Sequence, residues 1–149
     1  MRIAVDSNII LYAEGLGDPA KGERARSVLK QLPLARSIVP IQALGEVHHN
    51  LTRKGRWPRE RANEAVEAWR TVLTACPTSV EAFAASLRLS RQHGLQIWDA
   101  VIVAVAVEAG CQLLLSEDMQ AGFTWNGLSI INPFLSPMNA ALAALLTKS

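Results

Sequence analysis

Four carboxylates spread along the chain, Asp6, Glu46, Asp99 and Asp118, are the residues whose types and placement allow chemistry. Asp6 follows a short apolar run, Ile3 to Val5, and precedes Ser7 and Asn8, so a carboxylate, a hydroxyl and an amide stand on three consecutive residues. Asp118 closes Leu113-Leu114-Leu115-Ser116-Glu117-Asp118, again just after an apolar run of strand length. Each acid alone has an ordinary use, as a helix cap, a dipole partner, a solvated helix residue or a turn former. Four of them at element ends or on buried-looking faces suggest one gathering point, and like charges gathered there need a cation. Hard oxygen ligands suit Mg2+ or Mn2+ rather than zinc or copper. Such an ion would activate a water and neutralise the charge building on a phosphodiester during in-line attack.

The elements that must position these acids follow from apolar spacing and breaker residues. After the first strand, Ser7 is expected to cap a short helix through Ile9, Ile10 and Tyr12, which breaks at Gly15-Leu16-Gly17-Asp18-Pro19. Ala25, Val28, Leu29 and Leu32 mark a second helix that starts at Pro19 and stops at Pro33. Ser37 to Pro40 reads as a strand, and Ile41 to about Arg53 as a third helix with Glu46 beside the stripe Leu44, Val47 and Leu51. Pro58 starts a fourth helix whose apolar positions keep the helical period from Ala62 to Cys76. A break, with room for a short strand, follows at Ala75 to Thr78; a fifth helix runs from Val80 to His93-Gly94. Ile97 to Ala109 is a buried sixth helix, with Asp99 in its first turn where the positive end of the dipole favours a carboxylate. Asn126-Gly127 signals a tight turn before a last strand, Leu128 to Ile131.

Strands alternating with helices imply an α/β sandwich with a mainly parallel sheet of four to five strands. In such a sheet the site lies beyond the carboxyl ends of the strands, where Asp6 and Asp118 both fall. At 149 residues, half of them apolar and 19% charged, the chain fits a single domain. The net charge of +2 is too small to argue for nucleic acid by itself. The dense basic run Arg53-Lys54-Gly55-Arg56-Trp57 offers a weak RNA contact, with a base stacked on Trp57. Trp69 and Trp98 are expected in the core, and Trp125 beside the turn. Cys76 and Cys111 have no CxxC spacing, so neither zinc nor a disulfide framework is indicated and a reducing cytoplasm is the expected setting. The longest apolar run, Ala100 to Val107, is too short to span a bilayer, and no membrane association is expected.

With Asp6-Ser7-Asn8 after the first strand, Glu46 on a helix, Trp98-Asp99-Ala100 opening a buried helix, Leu115-Ser116-Glu117-Asp118 and the closing Asn132-Pro133-Phe134, the chain resembles the PIN domain, specifically VapC-type toxin ribonucleases. The resemblance runs from about Arg2 to Phe134. It implies a three-layer α/β/α PIN domain over residues 1–134, whereas the Ala/Leu-rich composition of 135–149 reads as a helical tail packed on the domain or on a dimer partner. It also implies an Mg2+- or Mn2+-dependent endoribonuclease that cuts single-stranded or looped RNA, works as a homodimer and is held inactive by a VapB-type antitoxin. By the same resemblance Asp6, Glu46, Asp99 and Asp118 match the catalytic acids, with Asp6, Asp99 and Asp118 toward metal. Ser116 matches the small hydroxyl residue before the last acid, and Ser7 and Asn8 the polar pair that orients ligands or water. Glu117 stands as a neighbour, and the tail departs from the usual family ending. Two other readings stay open: a non-catalytic PIN-like RNA-binding or regulatory domain, and a phosphohydrolase using Asp6 as nucleophile, against which Asn8 stands where a second Asp would be wanted.

Overall fold

Apolar runs of four or five residues, ended by an acid, a proline or a glycine, pair side by side in the computed structural model, which describes residues 1–147. In chain order the elements are β1 (Arg2–Val5), α1 (Ser7–Ala13), α2 (Pro19–Gln31), β2 (Ser37–Pro40), α3 (Ile41–Arg53), α4 (Arg59–Val72) and β3 (Thr74–Cys76). Then come α5 (Val80–His93), α6 (Ile97–Glu108), β4 (Cys111–Leu115), β5 (Thr124–Trp125), β6 (Leu128–Ile131) and α7 (Ala140–Thr147). The sheet has the order β3-β2-β1-β4-β6-β5, parallel except for the β5–β6 hairpin. The chain moves outward from β1 through β2 to β3, then returns to lay β4 on the other side of β1. Right-handed crossovers therefore put α1 to α4 on one face and α5 and α6 on the other, and the β1/β4 boundary becomes the switch point.

The core lies where these layers meet. Ile3, Ala4 and Val5 of β1 and Leu113, Leu114 and Leu115 of β4 are buried, as parallel strands covered on both faces require. Ala100 to Ala106 of α6 are buried without interruption because α6 packs on β2, β4 and β6 and is covered by α5. Gly94, at φ 70°, closes α5 in a left-handed cap that a side chain would strain. Leu142, Leu145 and Leu146 of α7 are buried in the same core, with α7 against α2. No helix among the described residues is long and apolar enough to cross a membrane.

The architecture is the expected α/β sandwich with a mainly parallel sheet, and the strand count is six rather than four to five. The additional strand is β5: Asn126 and Gly127, at φ 47° and 83°, turn the chain so that Trp125 faces Leu128 across a two-residue loop. The helical period read through Cys76 stops earlier, at Val72. From Thr74 the backbone pairs with Ile38 to Pro40 of β2, so the end of that apolar series serves a strand. The α1 cap is Asp6 rather than Ser7; its side chain accepts from the Ser7 amide.

Two glycines sit inside helices, Gly22 in α2 and Gly45 in α3. Gly22 has an internal reason: a Cβ there would lie 2.9 Å from the Tyr12 carbonyl oxygen, so α2 rests directly on the backbone of α1. Gly22→Ala should therefore lower stability by about 1–2 kcal/mol despite the better helix propensity of alanine. A lower urea midpoint with an unchanged slope is the expected result; a raised midpoint would show that α1 and α2 can separate freely.

Candidate active site at the β1/β4 switch point

Adjacent strand ends build the centre of the site. The Asp6 amide donates to the Leu115 carbonyl at 3.0 Å, which extends the β1–β4 pairing one residue past β1 and places Asp6 beside Ser116. Asp6 is only 4% exposed. Its Oδ1 accepts from the Ser7 amide at 2.7 Å, and its Oδ2 accepts from Ser116 Oγ at 2.8 Å and from Asn8 Nδ2 at 3.3 Å. Asn8 also reaches across: its Nδ2 donates to Ser116 Oγ at 3.3 Å and its Oδ1 accepts the Glu117 amide at 3.0 Å. Asn8 thus ties the loop after β1 to the loop after β4. A side chain with both oxygens occupied and almost no exposure is badly placed as a nucleophile, which argues against the aspartyl-phosphohydrolase reading.

The other acids arrive from two helices and the β4 exit. Glu46 projects from α3, half-buried, where burial pushes its carboxyl up. Hydrogen bonds from the Ser7 and Gln42 side chains oppose that shift, and the charges of Asp99 and Asp118 add to it. Asp99 stands in the first turn of α6, which Gln96 caps by accepting from the Trp98 and Asp99 amides at 2.9 and 3.0 Å. Burial and the Asp118 charge push its carboxyl up as well. For Asp6 burial dominates: despite the Ser116 and Ser7 bonds, and with the Glu46 and Asp99 charges adding, its pKa rises from 3.8 to about 7. The charges of Glu46 and Asp99 thus reach Asp6, and that of Asp118 reaches Glu46 and Asp99, so the four acids named from the sequence form one connected set. Among the described residues the ion pairs are Lys21–Glu117 and Arg70–Glu67, and neither involves these four.

Glu117 has a different task from its neighbour Asp118. It pairs with Lys21 and accepts from Tyr12 Oη at 2.5 Å, while Lys21 lies over the Tyr12 and Phe134 rings. Burial alone would raise its pKa, but the bonds from Lys21 and Tyr12 outweigh that and hold it below the usual carboxylate value. It fastens the β4 exit loop to α1 and α2. Of the basic run, Lys54 lines a cavity of about 270 Å³ together with Ser7, Asn8, Asn50 and Asp118. Arg53 and Arg56 are exposed without lining that cavity, and Trp57 is half-buried with the Arg61 guanidinium 3.7 Å above its ring. A base stacking on that ring face would have to displace Arg61.

Sequence reasoning missed Gln42, Asn50 and Trp98. Gln42, Glu46, Asn50 and Lys54 recur every four residues and line the two cavities beside the acids, a polar stripe parallel to the apolar one on α3. That spacing was visible in the sequence once Glu46 was chosen. Trp98 is 47% exposed rather than buried, because α6 presents its first turn, not its middle, to the cleft.

The Asp6 shift has a definite sign in stability. The folded chain binds the Asp6 proton more tightly than the unfolded chain, so stability falls as pH climbs from about 4 to about 7 and levels off above. In chelator the melting temperature should accordingly be lower near about pH 8 than near about pH 5. Asp99→Asn removes a like charge and should recover about 2–4 °C at the higher pH, as a relief of about 1 kcal/mol would. Identical pH profiles for the two proteins would contradict this coupling.

A family model for the PIN domain matches residues 3–121. No curated protein matches the chain. Among solved structures, VapC20 from Mycobacterium tuberculosis, a sarcin-ricin loop cleaving toxin, is 22% identical over 75% of this chain and 86% of its own, with a TM-score of 0.63. A toxin-antitoxin complex from Klebsiella pneumoniae is 17% identical over 89% of this chain and 98% of the other, with a TM-score of 0.66. FitAcB from Neisseria gonorrhoeae is 17% identical over the same shares, with a TM-score of 0.64. At such identities the likeness to these structures is one of fold. The family match, in contrast, runs from β1 past the β4 exit loop and takes in all four acids, so the chain belongs to the PIN domain family.

Proposed function

We propose that this protein is an Mg2+- or Mn2+-dependent endoribonuclease acting as the toxin of a toxin–antitoxin pair. The observation that supports it is the gathering of Asp6, Glu46, Asp99 and Asp118 at the switch point with no ion pair to offset them among the described residues. No three His, Cys, Asp or Glu side chains among the described residues form a ready-made cage. An open set of oxygens fits Mg2+ all the same, since that ion keeps several waters and is held by one or two carboxylates plus substrate phosphate. Asp6, Asp99 and Asp118 would hold it, directly or through its waters. When bound, it supplies positive charge that relieves the carboxylates and the phosphodiester.

The chain's own groups do the rest. Ser116 and Asn8 aim the Asp6 carboxylate, Ser7 and Gln42 aim Glu46, and Asn50 and Lys54 offer an amide and a cation to the RNA beyond the acids. The raised pKa of Glu46 suits it to take a proton from the attacking water. The solved neighbour from Klebsiella pneumoniae, a toxin-antitoxin complex, supports an antitoxin partner for this chain too. An apolar groove of about 360 Å³ between α1, α2 and α4, lined by Leu29, Leu34, Trp69 and Val72, suits an amphipathic antitoxin segment. Val80, Phe83 and Leu87 form an exposed apolar stripe on α5 that suits a homodimer contact. The setting would be the cytoplasm, where Cys76 and Cys111 stay as free thiols.

Purified chain freed of any partner should cleave single-stranded RNA with Mg2+ or Mn2+ and stop with chelator. Asp6→Asn and Asp99→Asn should each lose roughly two orders of magnitude in rate or more while keeping the far-ultraviolet spectrum of a folded protein. Undiminished cleavage by either variant would sink the assignment. RNA binding indifferent to metal and to both substitutions would favour a non-catalytic PIN-like RNA-binding domain.

A further inference from the structure

Beside Glu46 lies a second cavity, of about 670 Å³, lined by Ile41, Gln42, Gly45, His49, Asn50 and Trp98 in addition to that acid. Two of its walls are unusual. Trp98 is the residue before Asp99, and it exposes nearly half of its surface at the mouth of the acidic cleft, whereas an indole normally buries most of its apolar area. Gly45 precedes Glu46 in the interior of α3, where alanine would make a more stable helix. Unlike Gly22, it has no internal reason to be glycine: a Cβ built there meets no atom within 4 Å. A bare stretch of helix facing open space, next to an exposed indole and a reacting carboxylate, leaves room for something flat that the chain itself does not supply.

We propose that Trp98 and Gly45 form the base pocket of the cleft: the indole stacks on the nucleobase beside the scissile phosphate, and the bare α3 backbone lets that base lie close to Glu46. The inference rests on the nucleic-acid reading above and specifies the substrate as single-stranded, because a paired base could not leave its stack to lie on Trp98. Stacking tolerates any base, so this pocket supplies affinity and placement rather than sequence choice. Asn50, which borders both cavities, and Lys54 beyond it would carry the strand onward along α3, about 18 Å from Gln42 to Lys54 at the helical rise. Trp57, with Arg61 already over its ring, is relieved of the platform role.

The test uses full-length protein carrying Asp6→Asn, so that nothing is cut, with calcium in place of magnesium and a fluorescently labelled single-stranded RNA followed by anisotropy. Trp98→Ala should weaken binding roughly tenfold, with Trp98→Phe intermediate. Gly45→Ala should also weaken binding while raising the melting temperature by about 2 °C, a combination that a purely structural role would not produce. An abasic site in the RNA at the stacked position should weaken binding to the parent protein and add nothing to the loss in Trp98→Ala. Unchanged affinity in both variants would overturn the proposal. So would a change of oligomeric state on either substitution, measured by sedimentation, since the face would then be a protein contact. Because this readout needs no cleavage, an inactive wild-type enzyme would refute the nuclease reading, while the binding losses in the two variants would still establish the base pocket.

Discussion

A carboxylate as deeply buried as Asp6 is costly to keep charged unless its oxygens are satisfied, and three donors from two adjacent strand ends satisfy them here. The Ser7 amide and the Asn8 side chain belong to the segment that follows Asp6, but Ser116 reaches Asp6 only when β1 and β4 pair in the right register, with Val5 beside Leu115. Slipping that register would part Ser116 from both Asp6 and Asn8. The chain order that makes β1 and β4 adjacent, out to β3 and back, is thus bound up with the fate of a single acidic side chain. Helices α3 and α6 then need only bring Glu46 and Asp99 to the same edge, which the short β2–α3 junction and the Gln96 cap of α6 accomplish.

Satisfying the hydrogen bonds of Asp6 does not cancel the repulsion among the four acids. Glu46 and Asp99 are pushed up by burial and by the charges of neighbouring acids, while Lys21 is engaged with Glu117. This division of labour between consecutive acids separates two jobs that could otherwise interfere. Glu117 has its charge neutralised and serves as a fastening, while Asp118 remains within reach of Asp99 and Glu46. Residual electrostatic tension at the site is therefore built into the fold rather than an accident of surface composition.

Much of this was legible in the residues themselves. The strands announced themselves as apolar runs ended by acids or turn formers, and α6 as an unbroken apolar stretch, because burial on both sides leaves no room for polar residues. The acids were legible as a set: Asp6 and Asp118 stand where strands end, and although each acid alone could be a cap or a turn former, four of them at element ends or on buried-looking faces point to one cleft. Three features were not legible. The end of α4 was hidden because Leu73 and Cys76 continue a helical period while the backbone turns to pair with β2, and periodicity cannot see a pairing partner. Trp98 looked like core from its apolar neighbours, yet the first turn of a buried helix can still open on a cleft. Trp57 looked like a free ring, because the stacking of Arg61 depends on the left-handed Arg56 and the turn into α4.

The hairpin that adds the sixth strand also finishes the sheet. Its outer strand, β5, has two residues, and the opposite border, β3, has three. Edges this short present hardly any unpaired backbone, so another chain gains little by adding a strand at either border. Association by sheet extension, with its indifference to side chains, is therefore disfavoured at both borders. Recognition through side chains on its helices is favoured instead, and there a few substitutions can retune who is accepted without disturbing the strands that hold Asp6 in place.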